Sequence, residues 1–158
     1  HLRWVSSRGA TQDGASWWMH RRSTPAGLAW SGYAFENLCL VHVMQIKQAL
    51  GISGILTEHS SWQHRPSNRA ENGAQIDLII DRPDGVVNLC EMKCSDAPFA
   101  IEKKYASTLR ERSEIFRRVT GTHKSLFITF VTVHGVSPGA HASELVANEV
   151  RADALFAS

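Results

Sequence analysis

No stretch of the chain approaches the roughly 18 unbroken apolar residues of a membrane-spanning helix, so no membrane span is expected. The opening residues, HLRWVSSRGATQDG, lack the apolar core of a secretory leader. Cysteine is scarce, with three among 158 residues. An odd number without an export signal argues against a disulfide framework and for reduced thiols in a cytoplasm. Net charge is nearly absent: 17 Lys and Arg against 15 Asp and Glu leave +2 at neutral pH. A protein that holds nucleic acid by charge alone carries a larger basic excess, so any polyanion site must be local. No repeat, low-complexity tract or G-x-x-x-x-G-K loop is present, which excludes a P-loop for ATP within this chain. Cys90 and Cys94 lack the paired spacing of a zinc site and read as small hydrophobes. His59 and His64, five residues apart on one strand, fall on opposite faces and make poor joint ligands. His42 lies on an apolar helical stripe and reads as a core histidine.

A composition of 43% hydrophobic and 20% charged residues fits one globular domain with a sizeable core. Residues 1–30 mix Gly, Ser, Arg and Trp without lasting periodicity and start with His. They read as a linker or N-terminal extension from a missing upstream part, leaving residues 31–158 as the domain proper. Between Tyr33 and Leu50, Phe35, Leu38, Cys39, His42, Ile46 and Ala49 share one helical face. Ser31 is the expected cap, Gly51 the stop, and Glu36 a first-turn carboxylate. An irregular strand is expected over 53–65 and a polar loop over 66–73. Two strands follow, at about 74–81 and 86–93, joined by DRPDG, where Pro83 presets φ and Gly85 permits φ > 0. Residues 99–119 form an amphipathic helix whose inner side holds Ile101, Tyr105, Leu109, Arg112, Ile115, Phe116 and Val119. Its outer face carries Lys103, Lys104, Arg110, Arg117 and Arg118, a solvated face in the first instance. KSLFITFVTV, 124–133, is a buried strand, and the segment after it has no securely assignable element. The order α-β-β-β-α-β implies an α/β fold with a central mixed sheet flanked by helices.

The hairpin QIDLIIDRPDGVVNLCEMK carries the chemistry. Strand alternation points Glu91 and Lys93 the same way. Asp77 and Glu91 stand about six residues either side of the turn, so a matching register brings two carboxylates and an ammonium together. A buried carboxylate is costly unless a cation accompanies it. Mg²⁺ or Mn²⁺ is the natural guest of Asp77, Glu91 and the Met92 backbone carbonyl. A divalent ion beside a lysine is equipment for phosphodiester hydrolysis, with Lys93 orienting water or neutralising charge.

QID, then EMK one hairpin later, within the order α-β-β-β-α-β, resembles the PD-(D/E)XK superfamily of restriction-endonuclease-like nucleases. The resemblance assigns the second-strand acid to Asp77, the (D/E)XK acid and lysine to Glu91 and Lys93, and a supplementary helix acid to Glu36. Ile76 stands where the superfamily name has proline. Gln75 is an accessory candidate that shapes the site, and Lys103 and Lys104 are accessory candidates at the head of the long helix. AWSGYAFENLCLVHVMQIKQALGI, GAQIDLIIDRPDGVVNLCEMKCSDAPFAIEKKY and NEVRADALF are similar to the C-terminal nuclease-like domain of predicted bacterial and archaeal AAA-type ATPases. That resemblance implies a restriction-endonuclease-like fold and an upstream ATPase domain but no defined substrate; with the site residues, the expectation is Mg²⁺- or Mn²⁺-dependent cleavage of DNA rather than RNA, with the choice between monomer and homo-oligomer left open. Its rival is a non-catalytic nucleic-acid-binding or regulatory, protein-interaction module of such an ATPase.

Overall fold

A computed structural model describes residues 24–68 and 71–157. Helix α1 spans Pro25–Val41. Thr24 Oγ1 accepts the Gly27 N–H at 3.1 Å, and Pro25 occupies a first-turn position, where its missing N–H costs nothing. The helix therefore begins ahead of Ser31, and residues 25–30 belong to it rather than to a linker. Glu36 moves from an expected first turn to the helix interior, where the helix dipole does not favour a carboxylate. Residues 1–23 of the expected linker lie outside the described residues.

At His42 the backbone N–H is shared between the Leu38 and Cys39 carbonyls, and the ring Nδ1 lies 2.8 Å from Leu38 O. Helix α2, Val43–Ala49, follows directly. It stops as expected at Gly51, whose φ is 71°. Gly51 N–H donates to Gln48 O and Ile52 N–H to Lys47 O, so two terminal carbonyls find partners in a left-handed cap.

Five strands form one sheet in the order β1-β2-β3-β4-β5. They are β1 Glu58–His64, β2 Ala74–Asp81, β3 Val86–Lys93, β4 Ser125–Thr132 and β5 Val146–Arg151. β1, β2 and β3 pair antiparallel, while β3–β4 and β4–β5 pair parallel. Each parallel step crosses over through a helix: α3, Lys103–Thr120, and the short α4, Ala140–Leu145. A 3₁₀ turn, Ala152–Phe156, ends the described chain. The hairpin strands match their expected bounds, and Gly85 at the turn has φ 86°. The irregular strand shortens to β1, the long helix starts at Lys103 rather than 99, and the untyped segment supplies α4 and β5.

Apolar residues cover both sheet faces. Leu78, Ile80, Cys90, Met92, Val131 and Val150 meet Phe35, Cys39, Val43 and Ile46 of α1 and α2. On the other face Ile76, Ile79, Val87 and Leu89 pack on Phe116 of α3, while Ile128 and Phe130 cluster with Ala106 and Leu109. The result is a helix–sheet–helix sandwich with a central strand, β3, buried on both sides. α1 is apolar on nearly every side, yet the described residues cover only one side; Trp30, Tyr33, Val41 and Met44 line the exposed side of α1 and α2. Among the described residues no helix is long and apolar enough to cross a membrane.

None of the three cysteines forms a disulfide; Cys39 and Cys90 are buried and Cys94 is half-buried. Burial, with the Asp77 and Glu36 charges adding to it, pushes the Cys39 thiol up to about 12. We therefore expect a thiol reagent to label Cys94 in the native protein and Cys39 and Cys90 only in denaturant. Native labelling of all three at one rate would contradict this packing.

Candidate active site

The register of the hairpin sets the site. Leu78 faces Cys90, and the pairing continues to Asp81 opposite Val87. One step further would set Asp77 opposite Glu91, but the ladder ends at Leu78. There Asp77 Oδ2 takes the place of a backbone acceptor and receives the Met92 N–H at 3.1 Å. Backbone N–H and C=O of one strand residue point to the same side, so the Met92 carbonyl is also directed at this splayed end.

A second irregularity turns Asp77. Ser60 pairs with Ile79 and Trp62 with Ile76, so two steps on β1 (62 − 60) oppose three on β2 (79 − 76). β2 holds one extra residue there, a bulge at Asp77–Leu78. Ile76 and Ile79 can then both pack toward α3 while Leu78 packs toward α1.

Glu91 is 3% exposed, and its oxygens are well supplied with donors. Arg112 Nη1 lies 2.8 Å from each oxygen, and Tyr105 Oη donates to Oε2 at 2.8 Å. Lys93 Nζ lies 3.6 Å from Oε2 and 5.2 Å from the centre of the Tyr105 ring. Burial, then the Glu91 charge, push the Tyr105 phenol far above its usual range, so it remains a donor. Tyr105 is thus a Glu91 ligand as well as a core residue. Arg112 is the principal partner the motif did not name; both project from the inner stripe of α3, seven residues apart.

Asp77 and Glu36 are less well matched. Burial raises the Asp77 carboxyl above the ordinary aspartate range; the Glu91 charge adds to this, and Met92 N–H, Lys93 and Arg112 offset only part. Burial likewise raises Glu36, followed by the Asp77 charge, against Lys93. Glu36 makes no side-chain hydrogen bond or ion pair with another described residue. Glu36, Asp77, Glu91 and Lys93 therefore feel one another at the carboxyl end of β3, with α1 on one side and α3 on the other. Parallel strands commonly present ligand sites at this end.

The accessory candidates lie further out. Gln75 is exposed at the start of β2, and Lys103 and Lys104 are exposed in the first turn of α3. Other basic residues of α3 have structural partners: Arg110 with Glu144, Arg117 with the Thr122 and Lys124 carbonyls, and Arg118 with Glu71.

Among the described residues no three His, Cys, Asp or Glu side chains form a ready-made metal cage. Mg²⁺ does not need one; it is held by one or two carboxylates with waters completing its shell. Asp77 and Glu36, raised in pKa and short of positive partners, have the donor chemistry for a hard divalent ion, whereas Glu91 would have to share its oxygens with Arg112. A scan against protein-family models found no match, and searches of curated proteins and of solved structures found none either.

Proposed function

We propose that the chain is a PD-(D/E)XK-type nuclease domain of restriction-endonuclease-like fold, which hydrolyses phosphodiester bonds of DNA. The observation that carries this reading is the meeting of Asp77 and Glu36, both held above their usual pKa, with Glu91 and Lys93 at the end of a buried hairpin. Such charge-rich clusters with perturbed pKa values are characteristic of functional sites. Asp77 and Glu36, with Glu91 and the Met92 carbonyl, would hold Mg²⁺ or Mn²⁺. The ion, when bound, supplies polarisation of the phosphate and a bound water of lowered pKa.

The protein groups do the rest. Lys93 orients the attacking water and offsets charge that develops on the phosphoryl oxygens. Water adds to phosphorus and one P–O bond breaks, leaving a phosphate monoester and an alcohol. Glu91, fixed by Arg112 and Tyr105, holds Lys93 in position. Tyr105 stays protonated and takes no proton. The test is incubation of plasmid and single-stranded DNA with the protein and Mg²⁺ or Mn²⁺; cleavage lost with EDTA is expected, and binding without cleavage in either metal would refute hydrolysis.

A second reading draws on the exposed apolar side of α1 and α2. Trp30, Tyr33, Val41 and Met44 suit a protein partner, either an upstream ATPase-like domain or a second copy of the chain. If copies associate here, Val41→Glu should shift the sedimenting species from dimer to monomer and remove the concentration dependence of the melting temperature, with the circular dichroism spectrum unchanged. A wild-type chain that stays monomeric at high concentration removes self-association from this reading.

A further inference from the structure

A cleft of about 360 Å³ opens beside the cluster, lined by Gln63, His64, Arg65, Gln75, Thr108 and Arg112 among others. Its volume falls in the range of small-ligand sites. We infer that it seats a nucleotide of a single nucleic-acid strand next to the phosphodiester to be cut. The inference rests on the nuclease reading and adds to it where the strand lies.

Contiguity is the first argument. Arg112 lines the cleft and also binds both Glu91 oxygens at 2.8 Å. Gln75 lines it two residues before Asp77. A strand in the cleft therefore passes within one side chain of the carboxylate cluster.

Donor chemistry is the second. Two glutamine amides and two guanidinium groups are the kind that bind phosphate oxygens and base edges, while the Thr108 hydroxyl donates to Lys104 O at 3.2 Å. The cleft's acid, Glu111, already accepts from Asn72 Nδ2 at 2.5 Å. The floor is also stiff. His64 stacks on Trp62 with ring centres 6.3 Å apart and planes 18° apart, and Trp62 in turn meets the Phe116 edge at 5.1 Å. His64 Nε2 is buried without a hydrogen-bond partner.

The test is fluorescence anisotropy with a labelled oligothymidylate of about 12 nucleotides, in EDTA and again in Mn²⁺, alongside plasmid cleavage. Gln63 and Arg65 are exposed, so Gln63→Ala and Arg65→Ala should fold normally. Each is expected to weaken binding about tenfold at unchanged melting temperature. Thr108→Trp, which narrows the cleft, should weaken binding more than about tenfold, and Arg110→Ala, a charge removed elsewhere on α3, should change it less than about twofold. Wild-type affinity in all three cleft variants would overturn the cleft while leaving cleavage, and so the nuclease reading, intact. Loss of binding in these variants without cleavage by the wild type would support the cleft and refute the nuclease. No oligonucleotide binding by the wild type, or equal affinity for thymidine monophosphate, would overturn the strand assignment.

Discussion

Asp77→Asn is expected to lower divalent-dependent DNA cleavage by roughly a hundredfold to a thousandfold and, in metal-free buffer at pH 7, to make the protein more stable. Asparagine keeps an oxygen for the Met92 N–H, which Asp77 Oδ2 now accepts, but removes a charge that the native structure disfavours. The folded Asp77 carboxyl titrates above its ordinary value of 3.8. As pH rises, the unfolded chain loses this proton first. Between the two pKa values the native state binds more protons, so stability falls, and above the folded pKa the whole cost is present. The gain from Asp77→Asn should thus grow as pH rises through the folded titration and be absent once pH drops below the unfolded aspartate range. A rise in melting temperature of about 2–4 °C corresponds to roughly 1 kcal/mol in a chain of this size. Added Mg²⁺ should raise the melting temperature of the wild type more than that of Asp77→Asn. Lys93→Ala should lose cleavage to a similar degree but gain no stability, since it removes a cation 3.6 Å from Glu91. An Asp77→Asn protein that cuts DNA at the wild-type rate would end the active-site assignment.

Arg112→Met is expected to destabilise the fold by about 3 kcal/mol, because it strands a buried carboxylate. Glu91 would keep the Tyr105 hydroxyl and a Lys93 ammonium at 3.6 Å, but lose the guanidinium that serves both its oxygens. Urea unfolding should show a lower midpoint at unchanged slope. Pairing Arg112→Met with Glu91→Leu should recover much of the loss, since replacing both members of a buried ion pair by apolar groups is often neutral. Cost below about 1 kcal/mol for the single change would mean that the pair behaves as an exposed one. Mg²⁺ adds a functional readout. If Glu91 can ligate the ion, added Mg²⁺ should stabilise Arg112→Met more than it stabilises the wild type.

Much of this was legible because period-two patterning and turn chemistry act locally. The bounds 74–81 and 86–93, the Gly85 turn and a register that runs Asp77 toward the Glu91 end all follow from one short segment, although the paired ladder stops at Leu78. The start of α1 was less legible, although Thr24–Pro25 is a standard start signal. A helix apolar on nearly every side shows no periodic stripe to extend backward from Tyr33. β5 was missed for a related reason. Its residues Val146 and Val150 pack on opposite faces, because a register shift between Val146 and Asn148 breaks the alternation that would mark a strand. The role of Arg112 required tertiary structure. Its place on the inner stripe of α3 was readable, but the identity of the acid it meets depends on how α3 crosses the sheet.

The bulge in β2 can be described as a slip of phase. The strand carries two alternating patterns out of step by one residue: Ile76 belongs to the first, and Leu78, Ile79 and Ile80 to the second. A strand in a single phase would have to choose between burying Ile76 beneath α3 and releasing an acid from the apolar layers. Asp77 stands on the slip itself and belongs fully to neither pattern. It is thereby excused from core packing without breaking the core. The hairpin can bury aliphatic side chains on both faces and still present a carboxylate, because the one extra residue falls at Asp77–Leu78 and the acid is one of that pair.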